Sequence, residues 1–199
     1  MRLALWLLIA SLAGCALGSA RPDRSTFFAL AASEPDGAVP AGSWDAALGL
    51  GPVAIPGYLD RPQLVTRVGP NELKLAPVAR WAEPLREGIG RALQQDLAAA
   101  SGARQVALYP WPTTTHVDLA VAVDVLRFEP GARGDIELAA RWSVRDTVHG
   151  RVLTVRESRL VEPLEGAGCG AEVAALSRAL GQLAHEMAAA LREVKLFSR

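Results

Sequence analysis

Residues 116–125 constrain the fold more than any other stretch. Val117, Leu119, Val121, Val123 and Val125 alternate with His116, Asp118, Ala120, Ala122 and Asp124. Successive side chains of a strand point to opposite faces, so this run is a strand with one core face and one small or wet face. The same period returns in Ile136, Leu138, Ala140, Trp142 and Val144 against Glu137, Ala139, Arg141, Ser143 and Arg145, and residues 152–160 follow after a turn at His149-Gly150. Three successive strands of this kind predict an antiparallel meander. Its apolar face needs a cover, and the rest of the chain supplies helices for it.

The first helix is expected from near Glu83-Pro84, where proline suits the first turn and the acid suits the helix dipole, to about Ala100. Leu85, Ile89, Ala92, Leu93 and Ala100 fall on one side. Gly88 and Gly90 each weaken this helix by about 1 kcal/mol relative to alanine, which points to close approach of another backbone. The second helix, from about Ala171 to Val194, carries Val173, Leu176, Leu180, Leu183, Met187, Leu191 and Val194 on a stripe of roughly 80°, with Arg178, Gln182, Glu186 and Glu193 opposite. Docking on its own sheet is the expected use of that stripe; a coiled-coil-like seam with a second subunit is the alternative.

Earlier strands are expected at residues 26–31 and, with a kink, at 47–55. Gly49-Leu50-Gly51 lacks the third glycine of a dinucleotide fingerprint, and Pro56-Gly57 stops the chain where its helix would begin. Residues 64–68 and 72–75 flank Gly69-Pro70-Asn71 and read as a hairpin. The loop between residues 33 and 45 holds Trp44, expected to pack beneath it. These elements define an α+β fold: a mixed, largely antiparallel sheet with two amphipathic helices packed on it.

The N terminus sets the compartment. Arg2, the apolar run from Leu3 to Leu12, and the small residues Ala13 and Gly14 form the three-part pattern of an export signal. Gly14, Gly18, Arg21 and Pro22 interrupt the run well before the about 20 apolar residues a bilayer requires. Leu12-Ala13-Gly14-Cys15 resembles the bacterial lipobox, in which the cysteine is acylated and becomes the mature N terminus. The chain then divides into a signal peptide (1–14), the lipidated Cys15 with a linker (15–25) and one domain (26–199). Each buried CH₂ contributes about 0.8 kcal/mol, so the two or three acyl chains that the resemblance implies hold firmly. Ala16 stands where an Asp would signal inner-membrane retention, which by the same resemblance points to the outer membrane. The linker reaches roughly 33 Å at most.

Charge and chemistry narrow the function. With 21 basic and 21 acidic residues and no block of like charge, nucleic-acid binding has no electrostatic basis. Once Cys15 is acylated, Cys169 has no partner in the chain and reads as a tolerated free thiol, with an intermolecular disulfide as the alternative. Of the three histidines, His116 can share the polar side of a strand with Asp118 as base and orienting acid, but no serine lies in a G-x-S-x-G context. No spacing matches a zinc site, a P-loop or an EF-hand, so no metal, no cofactor and no enzymatic activity are expected.

Three stretches carry a family resemblance: Tyr58-Leu59-Asp60-Arg61-Pro62-Gln63-Leu64-Val65-Thr66-Arg67, Arg80-Trp81-Ala82-Glu83-Pro84-Leu85 and Asp124-Val125-Leu126-Arg127-Phe128. They resemble the PqiC/YmbA family of auxiliary lipoproteins for ABC-type transport. The resemblance implies a non-enzymatic, periplasm-facing outer-membrane lipoprotein, held by a lipid such as palmitate on Cys15. It also implies a partner, an Mce-domain protein that forms a lipid transport tunnel, with a homo-oligomer among the arrangements allowed and with support of envelope integrity as the role. Tyr58, Asp60 and Arg61, in a loop bounded by proline and glycine, are the candidate partner contacts; the alternative is that Asp60 and Arg61 pair locally. A second functional reading is a periplasmic lipid carrier with its own apolar pocket between helix and sheet.

Overall fold

The computed structural model describes residues 23–33, 39, 41–131 and 133–197, so the export signal and Cys15 lie outside the described residues. Its strands are β1 (Thr26–Phe28), β2 (Leu48–Ala54), β3 (Gln63–Gly69), β4 (Glu72–Trp81), β5 (Val106–Leu108), β6 (Leu119–Pro130), β7 (Ile136–Asp146) and β8 (Arg151–Glu162), and its helices are α1 (Leu85–Ser101) and α2 (Cys169–Phe197). The α+β class holds, but the strands form two sheets rather than one. Five strands are ordered β5-β2-β6-β7-β8 and three are ordered β1-β4-β3.

The division follows from the chain's behaviour after β2. The register slips between Leu50 and Val53, Gly51 takes φ +117, and Leu59 N–H bonds back to the Pro56 carbonyl at 2.9 Å. A residue with a Cβ rarely adopts that φ, so the kink read at Gly49-Leu50-Gly51-Pro52 is real; β2 pairs with β6 again at Val53 and Ala54, and the chain leaves the large sheet after them. The hairpin that follows forms as expected around Pro70-Asn71, with Gly69 opposite Glu72, and β4 continues to Trp81. β1 adds to β4 in parallel, Phe28 opposite Trp81. It stops at Phe28, three residues short of the expected strand, because the next residues have another use.

In the large sheet β6, β7 and β8 form the antiparallel meander. Val121, Val123, Val125 and all five apolar residues of β7's inner face are buried. Both helices cover that face. They run side by side in one direction, with Asp96 beside Gly181 and Arg192 Nη1 donating to the Ala100 carbonyl at 3.1 Å. Docking on its own sheet is therefore what the α2 stripe does. The buried face of α2 is wider than the stripe, because Ala175, Ala179, Ala184, Ala188 and Ala190 are also fully covered; small residues let α1 approach. Gly102, at φ +77, ends α1 with a left-handed cap.

Residues 30–33 cross both helices as a strap. Leu30 O accepts from Arg91 Nη2 at 2.8 Å, Ala31 N–H donates to Ser177 Oγ at 3.2 Å, Ser33 N–H donates to Asp96 Oδ1 at 2.8 Å, and Ser33 Oγ donates to the Ser177 carbonyl at 3.0 Å. Gly181 is the notch in which Ser33 sits: a Cβ there would lie 2.7 Å from the Ser33 Cβ. The two glycines of α1 serve side chains rather than another backbone, which corrects the sequence expectation. Gly88 lies under the Glu83 side chain, and Gly90 lies against Leu108 and Val53. Trp44 is buried as expected, bridged to Ala103, with Lys195 Nζ 4.7 Å from its ring centroid.

Candidate functional site

The Tyr58–Arg61 loop is held where the two sheets meet. Glu129, near the end of β6, is almost wholly buried. One of its oxygens accepts from Arg67 Nε at 2.8 Å, the Tyr58 hydroxyl is shared between both at 3.0 and 3.2 Å, and the Phe128 N–H adds a third donor at 2.8 Å. The Arg67 guanidinium also lies 5.5 Å from the Tyr58 ring centroid, within cation–π range. A carboxylate out of water is tolerated when charge and hydrogen bonds both meet it, and here both do. Burial, then the Glu129 charge, push the Tyr58 hydroxyl up to about 12, so it stays a donor throughout the physiological range.

This cluster sets the loop. Tyr58 points inward, while Asp60 is exposed and pairs with Arg86 on the first turn of α1 at 3.0 Å. Asp60 and Arg61 therefore do not pair with each other. With both partners about half exposed, the Asp60–Arg86 pair contributes about 0–1 kcal/mol. The Arg61 N–H bonds to the Leu59 carbonyl at 2.8 Å, and Arg61 Nε is buried with no acceptor among the described residues.

Beside Arg86 opens a cleft of about 340 Å³, lined mainly by Pro52, Val53, Gly90, Leu108, Tyr109 and Pro110. It lies between the N-terminal half of α1 and the β2–β5 edge of the large sheet. Its volume is at the lower end of the range for small-molecule sites. Tyr109 is half exposed and meets Trp111 edge to face at 5.3 Å.

His116 Nε2 and Asp118 Oδ1 are 2.7 Å apart just before β6, and the second Asp118 oxygen accepts the Ala47 N–H at 2.7 Å. His116 is exposed, and Asp118 serves to bind two segments of backbone. Among the described residues no group of three or more His, Cys, Asp or Glu side chains is placed to hold a metal ion. Cys169 opens α2 half-buried, and burial, with Glu172 nearby, raises its thiol pKa; a raised pKa makes a thiol less reactive at neutral pH.

A family model described as an ABC-type transport auxiliary lipoprotein component matches residues 28–188. The chain belongs to that family. This auxiliary lipoprotein is similar in fold to the crystal structure of protein XCC0632 from Xanthomonas campestris, at 20% identity and a TM-score of 0.72, with 87% of this chain and 98% of that one covered. A second crystal structure, of a protein described as uncharacterized, has 19% identity and a TM-score of 0.68 over 84% of this chain and 98% of its own. At such identities the likeness is one of fold. No curated protein matches the chain.

Sequence reasoning missed three residues of the site. Arg67 closes the first family-like stretch, and Glu129 stands one residue beyond the third. A lone acid continuing an apolar strand into Pro130-Gly131 was the available signal, since a carboxylate there must find partners. Arg86 gave none, because its partner is 26 residues away.

Proposed function

We propose that this auxiliary lipoprotein is held at the periplasmic face of the outer membrane by acyl chains on Cys15. There it docks the Mce-domain tunnel of an intermembrane lipid transport system, as one copy or as a homo-oligomer, and so supports envelope integrity. It does this without catalysis and without a cofactor beyond the covalent lipid. The observation that carries the proposal is the loop at Tyr58–Arg61: its base is fixed by the buried Glu129 cluster while Asp60 stays exposed. A loop already rigid loses little entropy on binding, which favours a specific contact. In this reading Tyr58 positions the loop through Glu129, and Asp60 and Arg61 meet the partner.

The test is affinity purification of the full-length acylated protein from its own envelope, with bound proteins and lipids identified by mass spectrometry. Recovery of an Mce-domain protein that is lost in Asp60→Ala or Arg61→Ala supports docking. Recovery of stoichiometric lipid with no such protein contradicts it. The cleft beneath Tyr109 favours a second reading, a lipid carrier, because its lining is mainly apolar and it lies between a helix and the sheet. That reading expects lipid to co-purify and to be lost in Gly90→Leu, which fills the cleft.

A further inference from the structure

The three-stranded sheet exposes apolar side chains that nothing among the described residues covers. Phe27, Val68, Leu73, Leu75 and Val78 are between 36% and 61% exposed, on a sheet of only three strands. The described chain begins on this sheet. Ser25 N–H donates to Asp23 Oδ1 at 2.9 Å and Arg80 Nε donates to Ser25 Oγ at 2.9 Å, so the N-terminal end is pinned against β4. Eight residues carry the chain from Asp23 back to Cys15, at most about 26 Å when extended. From the same pin at Arg80, β4 runs back to Glu72 over about 26 Å at the usual strand rise. Arg24, Lys74 and Arg80 outnumber Asp23 and Glu72 on these segments.

We infer that the β1-β4-β3 sheet is a second membrane contact, in which the apolar residues of the β3–β4 hairpin enter the interfacial zone of the bilayer that holds the lipid. The inference rests on the acylation of Cys15 proposed above. A tether no longer than the hairpin confines the sheet to the neighbourhood of the bilayer, and buried apolar area together with basic residues near anionic lipid is what holds a peripheral element there. The contact fixes the domain's orientation, which acyl chains on an extended linker do not do.

The test uses the full-length protein carrying Cys169→Ser, acylated and reconstituted in phosphatidylethanolamine–phosphatidylglycerol vesicles. Single nitroxide labels are placed at Leu73→Cys, at Val78→Cys and, as reference, at Val155→Cys, which is exposed on β8. The expected result is a several-fold higher ratio of oxygen to nickel-complex accessibility at 73 and 78 than at 155. Equal ratios in a chain that is acylated and sediments with the vesicles overturn the inference and leave the anchor standing. Labels at 73 or 78 shielded from both reagents and dipolar-coupled to the same label on a second copy overturn it in favour of a contact between copies. A chain that mass spectrometry finds unacylated overturns the anchor and the inference with it.

Discussion

In β7 of the large sheet, Ile136, Leu138, Ala140, Trp142 and Val144 are all within 2% of complete burial. In the small sheet, Val68, Leu73, Leu75 and Val78 have similar strand propensity and face solvent. The strands are alike in type; the cover differs. Helices α1 and α2 close one face of the large sheet, whereas the small sheet joins the core only through Leu64, Val65, Ala79 and Trp81 among its buried residues, and Arg67 ties the hairpin to Tyr58 and Glu129. One region is covered by helices and the other keeps apolar side chains exposed. Substitutions should therefore separate the two, with large costs in the body, intermediate costs at the joints and little cost on the hairpin.

The largest effect belongs to Trp142→Ala. The ring is buried and its Nε1 donates to Ser158 Oγ at 2.8 Å, so truncation leaves a cavity and removes the donor to a hydroxyl that keeps only its bond to Glu186. Urea unfolding should show a loss of about 4 kcal/mol; a loss below about 1 kcal/mol would show that the body is not close-packed. At the joint between the sheets, Glu129→Ala leaves Arg67 and Tyr58 facing an empty site, and the expected loss is about 3 kcal/mol. Hydrogen exchange should then show the hairpin opening before the meander.

Asp96 under the strap adds a pH dependence. Burial pushes its carboxyl up to about 6, against the opposing effects of the Ser33 N–H and of His185 on α2. The native chain keeps this proton up to about pH 6, whereas the unfolded chain releases it near 3.8. The contribution of Asp96 is therefore most favourable below about pH 4, declines as pH rises to 6, and is level above that. Asp96→Asn keeps an acceptor for Ser33 and should remove the decline, leaving the variant more stable than the parent at pH 7 by roughly 2 kcal/mol. Unfolding curves at pH 4 and pH 7 check the sign. The smallest effect is expected for Leu73→Ser on the hairpin, within about 0.5 kcal/mol of the parent; a larger loss would place the hairpin in the body's core.

The same contrast explains what was legible in the sequence. Periodicity is local, so the meander, both helices and the β3–β4 hairpin could be read from alternation at 116–125 and 136–145, the helical stripes, and Gly69-Pro70-Asn71. Long-range pairings leave no period. The strap joins Ser33 to Asp96 and Ser177, and Glu129 joins Tyr58 and Arg67, across separations of 62 residues or more. The glycines of α1 show the same limit: the sequence marked Gly88 and Gly90 as special, but only the fold reveals that the neighbours are the Glu83 and Leu108 side chains. The loop at Tyr58–Arg61 was legible through the family resemblance of residues 58–67 and through its Pro and Gly borders. Its anchoring carboxylate was not.

The central claim, that the fixed loop is the docking surface, is tested most directly by site-specific photocrosslinking in the native envelope. A benzoylphenylalanine replaces Asp60 in one strain and Val148, exposed at the turn between β7 and β8, in another. A crosslink from position 60 to an Mce-domain protein, and none from position 148, is expected. Capture of that protein from 148 and not from 60 would contradict the claim and move the docking surface to the opposite end of the meander.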